Sequence, residues 1–272
     1  MSLNTQTSLT KVGLVGAPGR MSLRLVQALS QTSLPLVCSA ALARPLHASI
    51  GQNIGMLAQQ SNTPIPIEPF SEQAFSKADV WIEFAHPHVS VQTAQACATY
   101  QKPVVIATTG HNDHQRKQIA EAAQHTPILM APNTSLGVFV LQQAVALAAR
   151  ALGSEYDIEM MEIHHRQKKD APSGTALQLA HCIAELGAHP ADNWVHARTG
   201  NQAIKQSSDI GVAALRGGQV VGEHTVYFLG PHDRLEFTHR AQDRHLFAAG
   251  ALVLAHRLIK KTPGLYTITD VY

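Results

Sequence analysis

The stretch Val12-Gly13-Leu14-Val15-Gly16-Ala17-Pro18-Gly19-Arg20-Met21 decides the fold of the first half of the chain. Its first four residues predict a buried strand, and apolar residues recur at helical spacing from Leu23 onward. A strand that enters a helix through glycines lets the backbone approach a pyrophosphate, which binds at the helix N-terminus. Ser22 stands where a full dinucleotide-binding pattern has its third glycine, so glycines that merely break the strand remain the alternative.

The next hundred or so residues alternate strands with helices, which is typical of βαβ units in a mostly parallel sheet. The segment Pro45–Pro69 carries Gly, Asn and Pro and is predicted to be a loop. The predicted strands are Leu36–Leu42, Asp79–Phe84, Pro103–Ile106 and Pro127–Met130, with helices at Val89–Tyr100 and Asp113–Gln124.

After Asn133 the pattern changes to that of an α+β domain. Three consecutive strands near the end of this region predict an antiparallel sheet, and a last helix returns to pack on the first domain. The predicted elements are helix Leu136–Leu152 ending at Gly153, strand Tyr156–Ile163, helix Thr175–Leu186 ending at Gly187 with Pro190 beyond, strands Ile210–Leu215, Val220–Leu229 and Arg234–His239, and helix Leu246–Lys260.

Composition narrows the class of protein. The 272 residues are 45% hydrophobic and 15% charged, which excludes a disordered chain. A net charge of +2 gives no strong field for nucleic acid or an anionic membrane. Cys38, Cys97 and Cys182 lack CxxC spacing, which excludes a disulfide framework and a cysteine zinc site. Residues 1–11 show no signal-peptide pattern and the apolar stretches are interrupted short of a membrane span, so we expect a soluble cytoplasmic protein.

The end of the second predicted strand bears on cofactor choice. Sites for the unphosphorylated dinucleotide usually carry an acid there, which binds the ribose 2′-hydroxyl. This strand ends Ala41-Leu42-Ala43-Arg44 without an acid, and Arg44 has the charge to bind a 2′-phosphate. A solvated surface arginine is the alternative. We predict that the site does not specifically favour NADH.

The densest chemistry lies in Glu162-Ile163-His164-His165-Arg166-Gln167-Lys168-Lys169-Asp170-Ala171-Pro172-Ser173-Gly174-Thr175-Ala176. Ser173 is a good N-cap, and the amides that follow it suit a small carboxylate. Lys168 or Lys169 supplies the counter-charge, and the two imidazoles supply a proton donor. Three alternatives remain open: a solvated charged face, a serine that only caps its helix, and a metal site, for which we find no third ligand at suitable spacing.

These stretches resemble the 4-hydroxy-tetrahydrodipicolinate reductase family, also called dihydrodipicolinate reductase. The stretch His164–Ala176 is similar to the family signature, and Gly16–Met21 is similar to its cofactor loop. The nicotinamide-side loops are matched by Ala107–Gly110 and Ala131–Val138, and Val221–Thr225 and Phe247–Ala251 match further along the chain. The similarity runs in order from the first strand to the C-terminus.

The resemblance implies a Rossmann-type, mostly parallel domain from residues 1–134 and 243–272. It also implies an inserted α+β domain over residues 135–242, with a largely antiparallel sheet, which binds substrate and forms a homotetramer. The implied reaction reduces the cyclic dicarboxylate 4-hydroxy-tetrahydrodipicolinate to tetrahydrodipicolinate with NADPH or NADH. The missing acid at Ala43 and the charge of Arg44 make NADPH the cofactor we expect to be preferred. No metal, nucleic acid or membrane partner is implied.

The resemblance also implies roles for individual residues. His164 is the general acid, and Lys168 binds substrate and assists catalysis. The other implied substrate ligands are His165, Ser173, Gly174 and Thr175. The implied cofactor ligands are Gly16, Ala17, Pro18, Gly19, Arg20, Met21, Arg44, Ala107, Thr108, Thr109, Ala131, Pro132, Asn133 and Thr134.

The chain departs from the family pattern at four places. Ala43 replaces an acid, the loop Phe84-Ala85-His86-Pro87 lacks a Thr-Arg pair, Thr134 stands where an aromatic residue is common, and Ser22 replaces the usual third glycine. Three rival functions remain open: another nucleotide-dependent reductase, such as an amino-acid dehydrogenase or a semialdehyde dehydrogenase with a cysteine nucleophile, a catalytically idle NADPH sensor, and a metal-dependent hydrolase. Turnover separates an enzyme from a sensor.

The general acid raises an electrostatic question. Arg166, Lys168 and Lys169 lie close to His164 in sequence, and cations lower the pKa of an imidazole. We hypothesise that a dianionic substrate neutralises the lysine and restores a charged imidazolium, so that binding assembles the acid.

Overall fold

The computed structural model describes residues 8–60, 62–185, 194–196, 198–206 and 209–272. The predicted helix end at Leu186–Gly187, Pro190 and most of residues 1–11 lie outside the described residues. The chain divides into two compact units. The first comprises the described residues up to Ser135 together with Arg244–Tyr272, and the second comprises Leu136–Asp243.

Twelve strands and eight α-helices are described in these residues. The strands are β1 Thr10–Val15, β2 Leu36–Ala43, β3 Ile67–Pro69, β4 Val80–Glu83, β5 Val104–Ile106, β6 Pro127–Met130, β7 Asp157–His164, β8 Trp194–Val195, β9 Ile210–Arg216, β10 Gly222–Leu229, β11 Arg234–Ala241 and β12 Gly264–Tyr266. The helices are α1 Arg20–Gln31, α2 Ile54–Leu57, α3 Pro87–Thr99, α4 Asp113–Ala122, α5 Leu136–Leu152, α6 Gly174–Ala184, α7 His245–Leu258 and α8 Ile268–Val271.

The first unit is built on a seven-stranded sheet in the order β12-β6-β5-β4-β1-β2-β3. Every neighbouring pair is parallel, which confirms the predicted Rossmann-type architecture. The strand order reverses between β1 and β4, and in such sheets the carboxyl ends beside this switch point form the ligand crevice. Helix α7 packs on α1 and completes the core from the C-terminal end of the chain, with Ala248, Ala251 and Leu252 buried.

The prediction that Pro45–Pro69 is a loop is wrong in part. Asn53 accepts hydrogen bonds from the amides of Gly55 and Met56 and thereby starts the single turn of α2. Strand β3 then pairs with β2 at the edge of the sheet. Both elements are too short for a periodic pattern to reveal, as are β8, β12 and α8.

The second unit contains a mixed sheet in the order β11-β10-β7-β9-β8. Strand β10 is antiparallel to β7 and β11, but β9 is parallel to β7. The expectation that β9, β10 and β11 pair in succession is therefore wrong at β9. Strand β7 alternates buried and half-buried residues and is paired along both edges. Because β9 lies on one edge of β7 and β10 on the other, the connection from β9 to β10 crosses β7.

The expectation that every apolar stretch is interrupted short of a membrane span is wrong for helix α5. With its 3₁₀ extension to Glu155 it is 20 residues long and apolar enough, by length and composition, to cross a membrane. Gln142, Gln143 and Arg150 interrupt the run in sequence without lowering its mean hydropathy enough. The helix contacts α6 and β11 and buries Val145 in the core of the second unit, which accounts for part of its apolar surface.

Candidate active site

The glycine turn at the end of β1 is a tight backbone cradle. Gly16 has a φ of +98°, and a side chain there would collide with the carbonyl oxygen of Phe84. The Gly19 amide donates to the Gly16 carbonyl at 2.8 Å, and a Cβ on Gly19 would lie 2.7 Å from that oxygen. Gly19 is also the N-cap of α1 and offers no side chain to its first turn. The first-turn amides are therefore donors for an anionic ligand.

Two cavities flank this cradle in the first unit. One, of about 880 Å³, is lined by Gly16–Gly19, Arg44, His47 and Phe84–His86 among others. The second, of about 670 Å³, includes Arg20 and Met21. Among the described residues, neither lining contains an aspartate or glutamate and both contain arginine, which fits an anionic dinucleotide.

Not all predicted cofactor ligands line these cavities. Pro132 and Thr134 line the smaller one. Ala107, Thr108, Thr109, Ala131 and Asn133 are not among the lining residues of either cavity, although they follow β5 and β6 at the same edge of the sheet. The hydroxyl of Thr108 is held inside the protein: it donates to Glu83 at 2.7 Å and accepts from the amide of Ala85 at 2.8 Å.

Thr134, which stands where an aromatic residue is common, makes a hydrogen bond to the segment that supplies an aromatic ring nearby. Its buried hydroxyl donates to the carbonyl of Phe247 at 2.7 Å. Phe247 lies in the first turn of α7 and lines the same cavity. The C-terminal segment thus supplies an aromatic ring to this wall, and Thr134 anchors its backbone.

In the second unit, the site is organised around the carboxylate of Glu162, which is 1% exposed. Arg216 donates to both of its oxygens at 2.8 and 2.9 Å, and the amide of Ser173 donates at 3.1 Å. The fourth contact is to Nδ1 of His164, 2.5 Å away. Sheet register produces this cluster, because β9 places Arg216 beside His164 and β10 places His224 opposite Glu162.

The charges set the state of His164. Burial lowers its pKa, and Lys168 and Arg216 lower it further against the opposing effect of Glu162. The predicted direction is confirmed, with burial as the main cause and Arg216 rather than Arg166 or Lys169 as the second cation. Burial would raise the pKa of Glu162, but its hydrogen bonds from Arg216 and His164 hold it below its usual value. A neutral His164 therefore donates Nδ1–H to Glu162 and leaves Nε2 as its acid–base atom.

Ser173 connects this cluster to a second histidine. Its hydroxyl accepts from the amide of Ala176 at 3.2 Å, as an N-cap does, and lies 2.9 Å from Nε2 of His224. Burial lowers the pKa of His224 to about 3, so this imidazole is neutral. Its ring meets that of His164 edge to face, with centroids 5.2 Å apart. Ser173 and His224 hold the start of α6 beside His164.

The remaining predicted substrate ligands lie in the loop before α6 or in its first turn. Nζ of Lys168 binds both carboxylate oxygens of Asp170 at 2.9 Å. His165 is half-buried directly after β7. A Cβ on Gly174 would meet nothing within 4 Å, so open space lies above the first turn that Gly174 and Thr175 begin.

Sequence reasoning missed four functional candidates: Glu83, Glu162, Arg216 and His224. Glu162 lies two residues before His164, and alternation places both side chains on the same face of β7, a signal that was present in the sequence. Arg216 and His224 are 54 and 62 residues from Glu162 and come close only through strand pairing. Within the described residues, no group of three or more His, Cys, Asp and Glu has a geometry suited to a metal ion.

The cysteines do not resemble reactive nucleophiles. Burial raises the pKa of Cys38 to about 12 and that of Cys97 well above its ordinary value. Burial also raises the pKa of the half-buried Cys182. A nucleophilic cysteine needs a depressed pKa, so these environments disfavour the rival with a cysteine nucleophile.

The parallel sheet with its glycine turn is the architecture of a dinucleotide-binding domain, and together with the histidine cluster it fits the class of oxidoreductases that use a pyridine nucleotide. Residues 10–134 match the family model for the N-terminus of dihydrodipicolinate reductase, and residues 137–272 match the model for its C-terminus. The chain therefore belongs to the dihydrodipicolinate reductase family, which confirms the resemblance seen in the sequence.

Similar proteins support this membership over the whole chain. A 4-hydroxy-tetrahydrodipicolinate reductase of Anaeromyxobacter dehalogenans is 42% identical over 264 residues, which cover 97% of each chain. The protein of that name from Myxococcus xanthus is 41% identical over 261 residues, or 95% of each. A solved structure of dipicolinate-bound dihydrodipicolinate reductase from Paenisporosarcina sp. TG-14 shares the fold, with a TM-score of 0.72 and 22% identity over 95% of this chain and 97% of that one.

Proposed function

We propose that the protein reduces 4-hydroxy-tetrahydrodipicolinate to tetrahydrodipicolinate in lysine and diaminopimelate biosynthesis. The names of the relatives and the match over both units support this substrate. The 4-hydroxyl group leaves as water, and the resulting conjugated imine accepts one hydride and one proton. A reduced nicotinamide supplies the hydride when bound in the first unit.

The observation that carries the mechanism is the hydrogen bond from Nδ1 of His164 to the buried Glu162. It fixes the tautomer and aims Nε2 away from Glu162, and a protonated Nε2 then gives its proton to the reduced ring. General acids of this kind contribute about 10²–10⁴-fold to rate. Because burial, Lys168 and Arg216 lower the pKa of His164, the resting imidazole is neutral and has no proton on Nε2 to donate. Two substrate carboxylates raise that pKa and assemble the acid on binding.

The first turn of α6 and its preceding loop receive the substrate carboxylates. A carboxylate draws Lys168 from Asp170 and accepts from the amide of Gly174, and His165 and Thr175 border the same position. The amide and hydroxyl of Ser173 bind Glu162, Ala176 and His224, so Ser173 shapes this turn.

NADPH is the favoured cofactor and NADH the poorer one. The strand end at Ala43 carries no acid, Arg44 lines the larger cavity, and no acid is among its described lining residues. The glycine turn and the first turn of α1 would hold the pyrophosphate, and Thr134 and Phe247 would border the nicotinamide side.

The first test is the initial rate of NADPH oxidation, with NADH in parallel, on substrate generated in situ by the preceding synthase. We expect fast turnover that favours NADPH, and Arg44→Ala should remove that preference while leaving NADH turnover unchanged. Equal or better use of NADH by the unsubstituted enzyme would contradict the cofactor assignment alone. Binding of NADPH without turnover on either cofactor would indicate a sensor.

The pH profile tests the assembled acid. The profile of kcat/KM reports free enzyme and that of kcat reports the substrate complex. We expect the pKa of His164 to be higher in the kcat profile. A pKa that is no higher with substrate bound would contradict this part of the mechanism.

We further propose that the first unit binds the dinucleotide and that the second binds substrate and forms a cytoplasmic homotetramer. Light scattering of the purified protein should give four times the mass of one chain. A monomeric mass would contradict the assembly without affecting the proposed reaction.

A further inference from the structure

Glu83 is a fully buried acid that the proposed reaction does not use. It ends β4 at the switch point of the parallel sheet, with an exposed fraction of 0%. Its neighbours in register are Val15, which ends β1 before the glycine turn, and Ile106, which ends β5 before the Ala107–Gly110 loop. It therefore lies beneath both loops of the dinucleotide site.

The carboxylate holds hydroxyl groups from two directions. Thr108 donates to Oε1 at 2.7 Å, and Ser90 of α3 donates to Oε2 at 3.0 Å. Thr108 in turn accepts the amide of Ala85 at 2.8 Å. The Ala85 amide can only donate, so Thr108 accepts there, and Glu83 accepts the single proton of the Thr108 hydroxyl and holds that side chain in place.

This chain of bonds sets the wall of the cofactor site. Phe84 borders both cavities, and Ala85 and His86 border the larger one. On its other side the carbonyl of Phe84 abuts Gly16, where no side chain fits. The segment Phe84–His86 is thus held between the glycine turn and Thr108.

Stability does not explain an acid at this position. Its hydrogen-bond partners are hydroxyl and amide groups, and burial raises its pKa to about 7. A buried carboxyl without a cationic partner costs folding free energy that an apolar residue would not. Buried acids that are costly and lie beside a ligand crevice are candidates for a functional role.

We propose that Glu83 is a positioning residue of the dinucleotide site, which orients Thr108 and thereby fixes the Phe84–His86 wall that receives the cofactor. The inference rests on the proposed function only in that the first unit binds a dinucleotide.

Direct binding of NADPH, measured by calorimetry on the full chain without substrate, tests this proposal. Glu83→Leu and Thr108→Val should each raise the Kd about tenfold, the typical effect of losing one buried hydrogen-bond partner. Thr108→Ser keeps the hydroxyl and should restore the original Kd. Glu83→Gln keeps an acceptor for Thr108 and should bind more tightly than Glu83→Leu.

The matched control is Thr93→Val on α3, because the buried Thr93 hydroxyl has no hydrogen-bond partner among the described residues. It makes the same chemical change as Thr108→Val and should leave the Kd unchanged. The double variant Glu83→Leu/Thr108→Val should weaken binding no more than either single variant, since the two residues act as one unit.

Three results would overturn the proposal: unchanged Kd in both single variants, additive losses in the double variant, or an equal loss in Thr93→Val. Failure of the unsubstituted protein to bind NADPH would instead contradict the proposed function. Thermal melting of each variant at pH 8 confirms folding, and we expect Glu83→Leu to melt no lower than the unsubstituted protein.

Discussion

Glu83 in the first unit and Glu162 in the second are both buried acids near the end of a strand, but their surroundings differ. Glu83 meets only hydroxyl and amide groups, and burial raises its pKa to about 7. Burial would also raise the pKa of Glu162, but Arg216 and His164 hold it below its usual value. The first environment orients neutral hydroxyl and amide donors around an acid, which suits the positioning role that we propose for Glu83. The second maintains a fixed charge beside His164, which suits the proton donor that we propose there.

The largest effect we expect is on turnover. His164→Gln should lower kcat about 10²–10⁴-fold, because the reduced ring loses its proton donor. NADPH binding should be unchanged, since we propose that the dinucleotide binds in the first unit. Steady-state rates and calorimetry check this, with His114→Gln on the exposed face of α4 as the control. An unchanged kcat would contradict the role of His164 as proton donor, and with it the functional difference that we draw between Glu162 and Glu83.

The second effect concerns stability of the ionic cluster. Arg216→Met leaves the buried Glu162 without its cation and should lower the free energy of unfolding by about 3 kcal/mol. Arg240→Met breaks the more exposed pair with Glu223 and should cost about 0–1 kcal/mol. Denaturant unfolding of both variants measures the difference. Equal losses of unfolding free energy in the two variants would show that the buried charge of Glu162 does not need Arg216 for its stability.

The third effect is a pH dependence that Glu83 imposes on stability. Its pKa is about 7 in the folded protein against an ordinary 4.5, so the folded state binds the extra proton between these values. Stability from this group is present below pH 4.5 and is lost as pH rises through 7. From pH 5 to 8 the loss is roughly 2–3 kcal/mol.

Glu83→Gln has no titrating side chain at this position, so its free energy of unfolding should not fall for this reason as pH rises. The free energy of unfolding of the variant minus that of the unsubstituted protein should therefore increase from pH 5 to pH 8. A constant difference between the two would show that Glu83 does not titrate in this range.

The fourth and smallest effect has the opposite sign and comes from the second unit. His224 has a folded pKa of about 3 against an ordinary 6.5, so its contribution is present above pH 6.5 and is lost as pH falls. From pH 7 to 5 the loss is about 2 kcal/mol. His224→Gln should flatten this acid limb in denaturant titrations. An acid limb of unchanged slope would contradict the neutral state of this imidazole.

The sequence predicted the parts of the molecule that local patterns determine. Strand β1, its glycine turn and the His164–Ala176 loop were recognisable because each is continuous in the chain. The parallel pairing of β9 was not, since it depends on which edge of β7 remains for β10. The partners of Glu162 were missed for the same reason: Arg216 is 54 residues away, and only strand register brings it close.

Cofactor-loop residues illustrate a finer limit. The family resemblance implied that Thr108 is a cofactor ligand, and the structure adds that its hydroxyl donates to Glu83 and accepts from the amide of Ala85. A motif identifies the loop and not the direction of each side chain. Buried hydrogen bonds of this kind depend on three separate segments at once.

The interruption of the first unit by the second has a consequence for how the chain is made. On the ribosome, Leu136–Asp243 emerges as one continuous segment, before α7 and β12 are synthesised. A nascent second unit can therefore fold while the first still lacks the helix that buries Leu252 and Leu254 against its core. Translation that stops short of α7 leaves the core of the first unit without this helix, so the first-made half of the protein stays incomplete until nearly the whole chain has been synthesised.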